Sequence, residues 1–330
     1  MARRELGPHS LAVARAVAAM MAGLPRAVIG CSGGPDSLAL ALGAEWAARR
    51  TGTRIAAVIV DHRLQEGSAQ VADRAARTLT DRGIEARVVA VDIPGGRDGQ
   101  PYEGGPEAAA RDARRHALAQ AAGTDPVLLG HTLDDQAETV LLGLARGSGA
   151  ASLAGIRPRA GRFWHPLLEV RRATTVAACR EWGVTPWQDP QNADPVFLRS
   201  RVRHETMPVL EAQLGPGIAE ALGRTASLLQ GDEEILDALT AEWLASHRVD
   251  TRSPGESRLP LRPLAAASTG LARRVVKAWL EEAGVEAAFT HVEAVRRLCD
   301  SEGGRGVDLP GARVTRRGQE LILTPAATSG

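Results

Sequence analysis

The chain has 330 residues and a mass of 34.8 kDa, enough for about two domains of ~150 residues each. Its 44% hydrophobic and 24% charged content is that of an ordinary globular protein and excludes collagen-like and wholly disordered chains. A net charge of +1 excludes a uniform polycation, so a nucleic-acid partner must be met by local patches, and 3% aromatic content disfavours a base-stacking platform.

In chain order, Ala12–Leu24 is apolar but broken by Arg15 and too short for the ~20 residues that span a bilayer, so it predicts an amphipathic first helix. Ala27–Ser32, Ile55–Asp61, Ala86–Ile93 and Pro126–His131 read as strands; Ile55–Asp61 is continuous and β-branched, as a strand covered on both faces is. Leu38–Arg50, Ala69–Arg82 and Glu107–Ala122 carry Ala, Leu and Arg at helical spacing. This alternation predicts an α/β domain, a doubly wound parallel sheet with helices on both faces. Pro94–Pro106 is a Gly/Pro-rich loop, expected to be mobile.

Past about residue 190 the pattern changes. Ile218, Leu222, Ala226, Leu229, Leu236, Leu239 and Trp243 predict one long or two short helices. A polar stretch with a Ser-Pro-Gly turn follows at His247–Arg258. Leu271–Ala283 is a further helix stopped by Gly284, and Thr290–Glu293 reads as a capping box opening another. Val307–Leu309 and Ala312–Leu323 predict short strands around turns at Pro310-Gly311 and Arg317-Gly318, with a frayed end at Ala326–Gly330. The expected organisation is therefore a main domain over 1–212, a helical linker over 213–248 and a small α+β domain over 249–330. Cys31, Cys179 and Cys299 are odd in number with no C-x-x-C pair, which argues against a disulfide framework or a Cys₄ metal site and for a reducing, cytoplasmic setting.

The sharpest chemical signal is Cys31-Ser32-Gly33-Gly34-Pro35-Asp36-Ser37, where the first strand hands over to a helix. Two glycines allow a sharp turn and close approach, and backbone N–H groups at a helix N-terminus favour an anion. A carboxylate beside phosphate is repulsive unless a divalent cation bridges them, so Asp36 implies Mg²⁺. Neither G-x-x-x-x-G-K-[ST] nor G-x-G-x-x-G is present, which weakens P-loop hydrolysis and dinucleotide binding. Asp61 and His62 end the second strand, near the same crevice. Glu107–Arg115 taken alone reads as a solvated Ala/Arg helix. Gly130–Thr139 is the second strong signal: His131 ends a strand, and Asp135 and Glu138 share one face of the helix that follows, a site for metal or amine recognition. Arg199, Arg201 and Arg203 alternate, which on an extended strand puts three guanidinia on one side; with Arg157, Arg159, Arg162, Arg171 and Arg172 they form a basic patch that would suit a phosphate backbone but that, taken alone, reads better as a solvated, salt-bridged face. Arg273, Arg274, Lys277, Arg296, Arg297, Arg313, Arg316 and Arg317 offer a second such surface.

The Ser32–Ser37 turn resembles the SGGxDS signature of the N-type ATP pyrophosphatases, the PP-loop superfamily. With Asp61–Leu64, Glu107–Arg111, Gly130–Thr139, Arg146–Gly149 and Asp189–Asn192 followed by Arg199, Arg201, Arg203 and Pro208, residues 27–210 resemble the tRNA(Ile)-lysidine synthetases. One departure stands at His165-Pro166-Leu167-Leu168, where that family commonly has Arg-Pro-Leu-Leu. The resemblance implies ATP-dependent ligation of free L-lysine to C2 of the wobble cytidine of a CAU-anticodon tRNA(Ile), with AMP and pyrophosphate as products. It implies ATP contacts at Ser32, Gly33, Gly34, Pro35, Asp36, Ser37, Asp61, His62 and Arg111, and Mg²⁺ at Asp36 and Asp135. Asp36, Arg111, His131 and Asp135 carry the chemistry in that reading, and Glu138 meets the lysine amine. Arg199, Arg201, Arg203, Arg273, Arg274 and Lys277 meet the tRNA. Oligomeric state stays open, a homodimer included. The rival readings are a tRNA 2-thiolation enzyme of the same superfamily, disfavoured by the missing C-x-x-C, and a non-catalytic ATP-binding sensor.

Overall fold

Three β-strands near the N-terminus share one parallel ladder, and a fourth joins it on the free side of the first. In the computed structural model, residues 5–63, 67–92, 105–147, 149–189, 194–247, 256–300 and 306–325 are described. The first unit begins with α1 (Pro8–Met21), β1 (Arg26–Cys31), α2 (Pro35–Thr51), β2 (Arg54–Asp61), α3 (Ser68–Thr80), β3 (Ala86–Ala90) and α4 (Gly105–Ala122). It continues with β4 (Val127–Leu128), α5 (Leu133–Ala145), α6 (Ala150–Leu153), β5 (Arg159–Ala160), β6 (Phe163–Trp164) and α7 (Arg172–Glu181). The Gly/Pro-rich stretch at 94–104 lies outside the described residues, whereas Gly105 and Pro106 already belong to α4.

The strand order is β3-β2-β1-β4-β6-β5, parallel except for the β5–β6 hairpin. The doubly wound expectation is met. β1 is covered on both faces, with only Arg26 exposed, because helices flank the sheet. The chain runs outward from β1 through β2 to β3, then returns to place β4 on β1's other flank. The strand order thus reverses between β1 and β4, and the crevice at such a reversal is where open α/β sheets bind ligands. Beneath it Leu40, Ile29, Ile59 and Leu128 are fully buried.

The remaining segment is helical: α8 (Leu198–Arg201), a π turn (Val202–Thr206), α9 (Met207–Leu214) and α10 (Ile218–Ser246). The extended reading of 199–203 is therefore corrected; these residues follow helical periodicity. Pro208 has no N–H for the carbonyl of His204 and its ring crowds that carbonyl, which favours the looser turn; the Met207 N–H reaches Val202 O instead. The stretch 218–246 is one helix of 29 residues.

The second unit, Gly231–Gly330 by contact density, holds the end of α10. It adds β7 (Ser257–Pro260), α11 (Leu261–Ala266), α12 (Thr269–Glu282), α13 (Phe289–Arg297), β8 (Gly306–Leu309), β9 (Ala312–Arg317) and β10 (Glu320–Pro325). Its antiparallel sheet has the order β7-β10-β9-β8, with two-residue turns at Pro310-Gly311 and Gly318-Gln319; Gly311 and Gly318 take φ of 71° and 59°. Val275, Val276, Leu280, Val295, Val314 and Leu321 form its core, separate from that of the first unit. The capping box expected at Thr290 is not formed. α13 starts at Phe289 with Ala288 as its N-cap, two residues before Thr290, and Glu293 pairs with Arg273 and Arg296. Among the described residues no helix is long and apolar enough to cross a membrane.

Candidate active site

The first motif forms a tight turn closed by its own hydroxyls. Buried Ser37 Oγ accepts the Ser32 N–H at 3.1 Å and donates to Gly34 O at 3.0 Å. Gly33 takes φ +84°, a conformation that a side chain resists. Gly34 precedes α2 with extended backbone and Pro35 opens the helix, so the α2 N-terminus and its free N–H groups lie at the turn.

The second motif is delivered to the same place by β4. A Cβ at Gly130 would fall 2.9 Å from the Asp36 carbonyl, so only glycine lets β4 run this close to the first turn. Asp135 then splits its carboxylate between two tasks. Oδ2 accepts the Thr132 N–H at 2.8 Å and its hydroxyl at 2.7 Å, the reciprocal cap that starts α5. Oδ1 faces Arg172 Nη2 at 2.7 Å and Arg203 Nη2 at 3.3 Å. Burial works against its ionisation, but Arg172, Arg199 and the Thr132 amide outweigh it and hold the carboxyl well below the usual range.

Asp36 sits opposite. Its Oδ1 accepts from the Thr175 hydroxyl and its Oδ2 pairs with Arg172 Nε at 3.0 Å. Burial raises its pKa, and the charge of Asp135 adds to that rise, against Arg172 and Thr175, which lower it. The acids of the two motifs therefore share one cleft and one guanidinium. Arg172 also reaches Glu138 Oε1 at 3.2 Å, and these acids push its own pKa up.

Glu138, 1% exposed, is enclosed by arginines. Arg203 grips both oxygens, Nε to Oε1 at 2.7 Å and Nη2 to Oε2 at 3.0 Å, and Arg199 Nε reaches Oε2 at 3.0 Å. Arg199 and Arg203 lie about one helical turn apart and face inward together. Arg201 faces elsewhere, bonded to the carbonyls of Pro195 and Val196. The basic patch expected over 157–203 is thus dispersed: Arg162 caps carbonyls at the end of α4, Arg159 stacks on Trp164, and Arg171 pairs with Asp134 and Glu220. A cavity of about 190 Å³ opens beside the cluster, lined by Asp134, Glu138, Arg171, Arg172, Arg203 and Glu211 among others.

His131 lies edge-on to His165 with ring centroids 4.9 Å apart. Its Nδ1 is buried without a partner, and burial lowers its pKa to about 4, so the ring is neutral. His165, at the departure from the family pattern, turns Nδ1 to Arg157 O at 2.8 Å and is also held neutral, chiefly by burial. Asp61 is buried and accepts the Arg63 N–H at 3.0 Å at the end of β2, beside β1. Burial and Arg114 lower the pKa of the neighbouring His62. Arg111 is exposed on α4, and no bond joins it to Asp36, Asp135 or Glu138. Leu64, Pro190–Asn192, Ser148 and the Glu107 side chain lie outside the described residues.

Of the three tRNA candidates in the second unit, Arg274 is committed to Glu233 and Asp237, and Arg273 to Glu293. Among the described residues Lys277 meets only Glu281, at 3.5 Å, both more than half exposed. Sequence reading did not single out Arg172, Thr132 or Thr175 as site residues. Arg172 was one arginine of a basic stretch, and only the β1–β4 adjacency shows it between two acids.

A parallel sheet with a glycine-rich turn and paired acids at its strand-order reversal defines a PP-loop nucleotide-binding protein. The family profile described as a PP-loop domain matches residues 10–210, and that described as a TilS substrate binding domain matches 259–322. A protein of Cutibacterium acnes called tRNA(Ile)-lysidine synthase is 57% identical over 98% of this chain and 99% of its own length. Proteins with the same name from Thermobifida fusca and Mycobacterium tuberculosis are 48% and 46% identical, covering 96% and 89% of this chain and 96% and 86% of their own. The chain belongs to the tRNA(Ile)-lysidine synthase family. The U34-tRNA thiolase NcsA of Methanococcus maripaludis shares the fold, with a TM-score of 0.55 and 20% identity over 67% of this chain and 80% of that one.

Proposed function

We propose that the protein joins lysine to C2 of the wobble cytidine of tRNA(Ile) at the cost of ATP, through an adenylated cytidine. The observation that carries this reading is the meeting of Asp36 and Asp135 on one guanidinium beside the Ser32–Ser37 turn. The turn and the α2 N-terminus offer backbone N–H groups to the triphosphate. The C2 oxygen attacks the α-phosphate, pyrophosphate leaves, and a poor leaving oxygen becomes a good one. The lysine ε-amine then attacks C2 and AMP departs.

The donor set fits Mg²⁺. Among the described residues no three His, Cys, Asp or Glu side chains are grouped to enclose a metal, but Mg²⁺ with a nucleotide takes one or two carboxylates plus phosphate oxygens and water. Asp36 and Asp135 supply that pair. When bound, the ion would neutralise charge on the phosphates. Arg199 and Arg203 supply positive charge around Glu138, and neutral His131 is an acceptor or positioning group near Asp135. The mixed acidic and basic lining of the 190 Å³ cavity suits a zwitterionic amino acid. Glu138, with both oxygens held by arginines, would act on the amine through that network or after an arginine moves.

Thiolation of tRNA is less supported. Cys31 and Cys179 are buried, with burial pushing both thiols up, Cys179 to about 12, which suits packing and not sulfur transfer. The deciding measurement is incorporation of labelled lysine into a CAU-anticodon tRNA(Ile) with ATP, with methionine tRNA as the specificity control. Pyrophosphate release that needs neither lysine nor tRNA(Ile) would sink the reading.

A further inference from the structure

Arg172 uses three of its nitrogens on three carboxylates from two motifs: Asp36 Oδ2 at 3.0 Å, Asp135 Oδ1 at 2.7 Å and Glu138 Oε1 at 3.2 Å. The other oxygens of both aspartates are already assigned, Asp36 Oδ1 to Thr175 and Asp135 Oδ2 to Thr132. The two oxygens left to face a cation are therefore the two that Arg172 occupies, with Arg203 Nη2 also on Asp135 Oδ1 at the longer 3.3 Å. Glu138 is further shared by Arg199 and Arg203, so it keeps counter-charge if Arg172 moves, whereas Asp36 has no second ion-pair partner among the described residues.

We propose that Arg172 is the resident cation of this site and that a divalent metal must displace it from Asp36 and Asp135. This rests on the reading that those two aspartates hold the metal. A metal–oxygen bond of about 2.0–2.1 Å and a guanidinium bond cannot use the same carboxylate oxygen facing the same way. Free metal therefore competes with an internal arginine and binds weakly. A triphosphate arriving with the metal gives the released guanidinium a new anionic partner, which it can engage through two nitrogens. Metal and nucleotide consequently enter together, and the two like-charged aspartates are never left facing each other without a cation.

The test is Mn²⁺ binding by the full-length protein without nucleotide, followed by electron paramagnetic resonance of the free ion, with near-ultraviolet circular dichroism to show that each variant is folded. Arg172→Gln is expected to bind Mn²⁺ about tenfold tighter than the unaltered chain. Arg172→Lys keeps the charge but not the fork, and serves if the glutamine variant does not fold. It should bind about threefold tighter. Unchanged or weaker affinity in a folded Arg172 variant overturns the proposal. Adding Asp36→Asn to Arg172→Gln should abolish the gain. If tight binding survives Asp36→Asn, the metal lies elsewhere and the reading of the aspartates fails. If binding depends on Asp36 but not on Arg172, only the displacement fails.

Discussion

Asp135 shows how a single carboxylate serves structure and chemistry together, one oxygen capping α5 and the other turned to the arginines. Glu138 is the charge on which Arg172, Arg199 and Arg203 converge, so Glu138→Gln is expected to lower stability by about 2–3 kcal/mol in urea unfolding, because a buried ionic group losing one member leaves the rest uncompensated. His131 makes a pH prediction. Its folded pKa of about 4 lies below its ordinary 6.5, so the unfolded chain binds the proton more readily between those values. The stability it contributes is whole above pH 6.5 and is lost as pH falls toward 4, and His131→Gln should remove about 3 kcal/mol of that loss in unfolding curves taken across the window. Most of these residues were legible in the sequence, since Asp36, His131, Asp135 and Glu138 sit in compact motifs. Arg172 was not, because its meaning depends on acids 136 and 37 positions away in the chain.

At the scale of elements, the helices and strands of the first half follow their sequence patterns closely because each apolar face has one partner. The errors fall where a neighbour decides. Pro126–His131 shrinks to a two-residue strand, since Gly130 must pass close against the Asp36 and Ser37 backbone. Residues 199–203 read equally well at period two or at helical period, and only the acids of α5 choose between them. Gly130→Ala is expected to push α2 and β4 apart, lowering stability by about 1–3 kcal/mol and weakening ATP binding in a fluorescent-analogue titration. The strain falls on Asp36 and Ser37 at the start of α2.

The whole molecule has two hydrophobic cores, one in each unit. Scanning calorimetry should accordingly resolve two transitions, and an ATP analogue with Mg²⁺ should raise the midpoint of the first alone. In the second unit, Arg274→Ala should destabilise by exposing the buried charge of Glu233, whereas Lys277→Ala should leave stability within about 0.5 kcal/mol. The lysine variant should instead reduce the salt slope of tRNA binding by about one, measured by filter binding across ionic strengths. The long reach from Asp36 to Arg172 also carries a consequence for biosynthesis. Asp36 and Asp135 both leave the ribosome before the guanidinium that reconciles them, and Arg199 and Arg203 follow later still. A chain ended short of Arg203 can shape the glycine turn but leaves its acids without their full set of counter-charges.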